Sequence, residues 1–100
     1  MVYVTRHAEK RMKKRMGINK VSTRRMAQRV FDYGYTINQT KGYLKKWLIY
    51  THSKNTNINN IRVYGDKAYL FIDENLITVL QIPTKLTKES CRLKRDIIQM

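Results

Sequence analysis

The sequence has a single cysteine, a single proline, four glycines and only seven acidic residues among 100. Cys91 has no partner for an internal disulfide and no companions for a zinc quartet, so it reads as a small apolar residue. No stretch rich in proline, glycine or serine divides the chain, and its length suits one domain. No apolar run approaches the roughly eighteen residues of a membrane-spanning helix. The N-terminus lacks the apolar segment of a signal peptide. A glycine-rich phosphate loop and a carboxylate cluster for magnesium are both missing, which argues against nucleotide hydrolysis and implies no cofactor. These absences fit a cytoplasmic protein.

The scarcity of acid leaves 21 Lys and Arg residues in large excess, for a net charge of +14. Solubility alone does not call for so much charge of one sign. The usual partner of such a surface is a polyphosphate, because each phosphate it neutralises releases counterions. Anionic membrane and an acidic protein are the other candidates. The excess is concentrated near the start, where residues 1–29 hold ten basic residues and one acidic residue, Glu9.

Hydrophobic spacing divides the chain into helices followed by strands. Thr5 is placed to cap a helix over Arg6–Met16 that Gly17 stops. Ala8, Met12 and Met16 form its apolar stripe, and His7, Arg11 and Arg15 form the adjacent one. Asn19 is placed to cap a second helix, Lys20–Tyr33, closed by Gly34, with Val21, Met26, Ala27, Val30 and Phe31 inward. A third helix is expected from about Lys41 to His52, with Leu44, Trp47, Leu48 and Thr51 on one side. A polar loop should follow at residues 53–57. The period then changes to that of strands. Residues 61–64, 68–73 and 76–82 read as three strands joined by turns at Gly65-Asp66 and Glu74-Asn75. The last is apolar nearly throughout and should lie centrally, covered on much of both faces. Met1 to Val4 suit a short extended lead-in. The expected fold is α+β, with N-terminal helices packed on a three- to four-stranded antiparallel meander over residues 1–83. Residues 84–100 form a basic tail, in which Leu86, Leu93, Ile97 and Ile98 are spaced for a short helix.

The run His7-Ala8-Glu9-Lys10-Arg11-Met12-Lys13-Lys14-Arg15-Met16-Gly17, together with Arg62-Val63-Tyr64-Gly65-Asp66-Lys67 and Leu76-Ile77-Thr78-Val79-Leu80, resembles small phage and bacterial proteins related to the RelE-like toxins. These belong to the barnase–EndoU–colicin–RelE group of ribonuclease folds. The resemblance spans roughly residues 4–83. It implies a RelE-like fold and metal-independent RNA cleavage, with helix and sheet residues flanking the scissile phosphate. An acidic protein or an antitoxin is a further candidate partner. Many relatives of such folds only bind, and some small phage proteins of this size block host defences.

RNA can be cut without a metal when its 2′-hydroxyl attacks the neighbouring phosphate. A histidine can move the protons near neutral pH. Arginines can stabilise the developing charge. His7, Arg11 and Arg15 supply these groups on one helix stripe, and the Thr78 hydroxyl on the sheet could hold a phosphate oxygen. His52, in a polar segment after a helix, is a weaker acid–base candidate that could instead meet the helix C-terminus. Lys10, Lys14, Arg24, Arg25, Arg29, Arg62 and Lys67 are candidate phosphate contacts. Seven tyrosines accompany them, of which Tyr64 and Tyr69 flank the Gly65-Asp66 turn as candidate base-stacking residues. Tyr33, Tyr35, Tyr43 and Tyr50 are further candidates, although a half-buried core rim is the commoner use of such rings. Cutting and holding both remain open. One reading is a RelE-like ribonuclease, a toxin or phage effector. The other is a non-catalytic binder of nucleic acid or of a ribonucleoprotein, such as an inhibitor of a CRISPR-type defence complex. RNA is the favoured nucleic acid in either.

Overall fold

The computed structural model describes residues 2–88. Thr5 accepts a hydrogen bond from the Ala8 N–H and opens α1, Arg6–Met16. Gly17, at φ 64°, ends it in the left-handed region that glycine enters without a Cβ penalty. Asn19 caps α2, Lys20–Tyr33, through the Ser22 N–H. Gly34 closes α2 for a different reason. Its backbone is extended, but a Cβ there would lie 2.5 Å from the Val30 carbonyl oxygen and 2.9 Å from the Arg62 Cβ. The need is for close approach between helix end and sheet, not for left-handed backbone. Tyr35 then bridges to Val63 and ties this exit to the sheet edge.

After a single 3-10 turn at Ile37–Gln39, α3 runs Gly42–Lys54. It therefore takes in Ser53 and Lys54, where a loop was expected. The Ser53 hydroxyl donates back to the Tyr50 carbonyl at 2.6 Å, which satisfies it inside the last turn. Asn55 then ends the helix, its amide donating to the Thr51 carbonyl.

The three expected strands form as β2 (Asn60–Tyr64), β3 (Lys67–Ile72) and β4 (Asn75–Gln81), an antiparallel meander. Gly65, at φ 62°, supplies the positive φ needed by the first tight turn. The second turn is Asp73-Glu74 and not Glu74-Asn75. Asp73 takes φ 54°, and its N–H and carboxylate are both bonded by the Asn59 side chain. The lead-in residues become a strand, β1 (Tyr3–Val4), which pairs parallel with β4 at Asn75 and Leu76. The sheet order is β1-β4-β3-β2, so the sheet is mixed and the expectation of a purely antiparallel one is corrected. Connectivity permits parallel pairing, since three helices and two strands separate β1 from β4.

The sheet has a layer of helix on each side. Ala8 and Met12 of α1, with Ala27 and Val30 of α2, pack on Tyr69, Phe71, Leu76 and Val79. Leu44 and Leu48 of α3 pack on Ile61, Val63, Ala68 and Leu70 from the opposite side, joined by Ile82 and Leu86. Alternation along β3 sends Ala68 and Leu70 one way and Tyr69 and Phe71 the other, which makes a strand buried throughout its middle. β4 lies between β1 and β3, as its apolar sequence requires. Residues 84–88 are helical and Leu86 is part of the α3-side core, so the start of the tail packs back. The remaining tail positions, Cys91 among them, lie outside the described residues. Among the described residues no helix is long and apolar enough to cross a membrane.

One expected core position is corrected. Val21 is 61% exposed, and Thr23 holds the buried place on α2 instead.

Candidate nucleic-acid interface

The face formed by α1 and α2 is where cations gather without neutralising partners. Arg6, Lys10, Lys13, Lys14 and Arg15 on α1 are exposed, as are Lys20, Arg24, Arg25 and Arg29 on α2. Among the described residues none of these forms an ion pair, and Asp66 pairs with Lys67 on the sheet. The one carboxylate at the end of α2, Asp32, accepts from the Gln28 amide, which in turn accepts from the Val2 N–H. That network ties β1 to α2 and leaves the arginines free. The cations remain outward because Ala8 and Met12, and Thr23, Ala27 and Val30, are the residues the two helices bury.

His7, Arg11 and Arg15 do share a stripe, on the flank of α1 facing away from α2. His7 and Arg15 are exposed and Arg11 is half-buried. Glu9, Lys10 and Lys13 lie on the α2 side, where they line a groove with Ile18, Asn19, Lys20 and Thr23. Arg24 lines a second hollow beside Val2, Tyr3 and Val4.

Thr78 does not join the His7 stripe. The sheet register sets it opposite Leu70, whose side chain packs toward α3, whereas α1 covers the other face. A bulge at Ile77 of β4, opposite the Leu70–Phe71 step, causes this. It puts Ile77 and Thr78 in succession against the α3 side, where simple alternation would have turned one of them to α1.

The sheet residues expected to contact nucleic acid are largely committed to the fold. Tyr69 is 2% exposed and cannot stack on a base. Its hydroxyl donates to the Met16 sulfur at 3.8 Å. Burial, with the nearby Asp66 charge and Tyr64, holds this phenol well above its ordinary pKa. Arg62 donates to the Gly34 carbonyl and the Asn60 side chain, and its guanidinium lies 5.9 Å from the centre of the Phe31 ring. Lys67 is held by Asp66 at 3.0 Å. Tyr64 packs against the α1–α2 core and pairs with Lys67, while Tyr69 pairs with Arg62, so the two tyrosines are not opposite each other. The Asp66 carboxylate is partly desolvated, which raises its pKa. Hydrogen bonds from Lys67 and Gln81 and the Lys67 charge outweigh this and hold it below the ordinary 3.8. His52 is likewise engaged, one ring nitrogen lying 2.7 Å from the Ile58 carbonyl oxygen.

Exposed aromatic rings occur elsewhere, on α3. Tyr43 is 70% exposed and Tyr50 59%, with the Lys46 ammonium 5.3 Å from the first ring centre and Lys54 5.4 Å from the second. Helical spacing puts these four residues on one outward stripe. The sequence signal was present in the i, i+3, i+7 and i+11 positions of Tyr and Lys. Trp47 lies beside it, half-buried, lining a hollow with Tyr43, Lys85 and Leu86.

No protein-family model, curated protein or solved structure matches the chain.

Proposed function

We propose that this chain is a nucleic-acid-binding protein of RelE-like build that grips phosphates with the outer face of α1 and α2, RNA being the favoured ligand. The observation that carries the reading is the set of exposed cations on two adjacent helices, none of them paired with a carboxylate among the described residues. Surface cations left unneutralised are available for counterion exchange with a polyphosphate. The preference for RNA and the RelE-like assignment rest on the resemblance carried by residues 7–17 and by the strands.

Binding is favoured over cleavage. A 2′-hydroxyl transfer needs groups for two proton movements around one phosphate. His7 is the acid–base side chain on its stripe, Thr78 faces the other side of the sheet, and His52 is engaged with Ile58. The test is to incubate labelled single-stranded RNA and a duplex with the wild type and with His7→Ala, in EDTA. The expected result is a salt-sensitive mobility shift by both proteins with the RNA intact. RNA that is cut by the wild type and spared by His7→Ala would replace this reading with a ribonuclease. Failure to retard either nucleic acid at low salt would remove it.

A further inference from the structure

We propose that the outer face of α3 is a stacking site for the bases of a single-stranded nucleic acid, with Tyr43 and Trp47 receiving one base and Tyr50 another. The proposal rests on the nucleic-acid reading and deepens it, because it names the strandedness of the ligand and a second place that holds it.

α3 buries Leu44, Leu48 and Thr51 and leaves Tyr43 and Tyr50 largely in solvent. Core packing therefore accounts for neither ring. Each ring carries a cation, the Lys46 ammonium over Tyr43 and the Lys54 ammonium over Tyr50. The rings stay exposed with those lysines in place, so ring surface remains for a base. Among the described residues neither lysine pairs with a carboxylate. The sequence has no acidic residue between Asp32 and Asp66, so α3 contributes positive charge alone and complements a phosphate backbone. Beside the stripe, Tyr43, Trp47, Lys85 and Leu86 line a hollow of about 470 Å³. Two aromatic rings and a leucine match the flat apolar face of a base, and Lys85 matches the phosphate that accompanies it. Each helical residue rises about 1.5 Å, which sets Tyr43 and Tyr50 about 10 Å apart along the axis. Bases stacked in one strand advance about 3.4 Å each, so the two rings are about three base steps apart.

Other polyanions fit this face less well. A duplex keeps the faces of its bases inside its own stack and can offer only phosphates here. A membrane surface requires a continuous apolar face on the helix, and that face of α3 is already packed on the sheet.

Trp47 is the only tryptophan in the chain and reports on its own hollow, because a base stacked there quenches indole emission. The experiment titrates the full chain with oligouridylate, with its duplex with oligoadenylate, with inorganic polyphosphate and with phosphatidylserine vesicles. Oligouridylate should quench the emission with saturation, whereas polyphosphate, which has charge but no bases, should not. Tyr43→Ala and Tyr50→Ala should each weaken oligouridylate binding by about fivefold or more, the effect of losing one base–ring stack. Tyr43→Phe and Tyr50→Phe keep the ring and should bind as the wild type does. Both sites are exposed, so the variants should fold. An affinity that neither alanine variant lowers would overturn the proposal. So would quenching by duplex, polyphosphate or vesicles as strong as that by the single strand. The α1–α2 grip lies across the sheet and fails separately. Retardation of single strand and duplex with constant Trp47 emission would overturn the stacking site and keep that grip. Quenching by oligouridylate at undiminished affinity after Arg24, Arg25 and Arg29 are replaced by Gln would uphold the stacking site and remove the grip.

Discussion

Salt dependence offers the most quantitative test of the helical face. Lys10, Lys14, Arg24, Arg25 and Arg29 are five exposed cations on α1 and α2. If each neutralises one phosphate of a single strand, log K should fall with log salt at a slope of about −3.5. A fourfold rise in salt, from about 50 to about 200 mM, then weakens binding roughly 100-fold. Replacing Arg24, Arg25 and Arg29 together by Gln leaves two contacts, a slope of about −1.4 and a loss of roughly sevenfold over the same range. Glutamine has nearly the helix propensity of arginine, and the sites are exposed, so the variant should fold with stability changed by about 0.5 kcal/mol or less per site. Fluorescence anisotropy with a labelled oligoribonucleotide at several salt concentrations measures both slopes, and a thermal melt checks the fold. A wild-type affinity indifferent to salt would refute the electrostatic reasoning. A slope unchanged by the triple substitution would show that the grip lies elsewhere, with the Tyr43–Lys46–Tyr50–Lys54 stripe of α3 the next surface to test.

Two further predictions concern the frame that holds this face. Met12 is fully buried between α1 and the sheet, so Met12→Ala should cost on the order of 2–5 kcal/mol in urea unfolding; a cost below about 1 kcal/mol would mean that α1 is not anchored there. The Asp66 carboxyl is held below its ordinary 3.8, so the folded state takes up its proton less readily than the unfolded chain. Its contribution to stability is therefore present above pH 3.8 and is lost as the pH falls through the lower folded value. The gap in melting temperature between wild type and Asp66→Asn should be steady near neutrality and close in acid. A gap independent of pH would discount the Lys67 and Gln81 contacts as its cause.

Local order was legible in the sequence wherever local chemistry suffices to specify it. Thr5, Gly17 and Asn19 bound the first two helices because caps and left-handed stops act within a few residues. The three-strand meander followed from period-two apolar spacing and from Gly65. The excess of cations on α1 and α2 was equally plain, since charge is counted without coordinates. What sequence could not supply was which distant groups share a face. A bulge in β4, invisible in an apolar run, turned Thr78 toward α3. Burial enclosed Tyr69, and the close approach of Gly34 engaged Arg62. The parallel pairing of β1 depends on where α1 lands, a long-range packing outcome. Position 23 shows the division best. An isolated threonine in a helix carries no signal, yet packing buries Thr23 at 1% exposure and leaves Val21 61% exposed. Composition determined that this protein presents positive charge, because ionised side chains must stay in water. Only tertiary packing decided which of those charges remain free, because burial and hydrogen bonding across the fold had first to claim the rest.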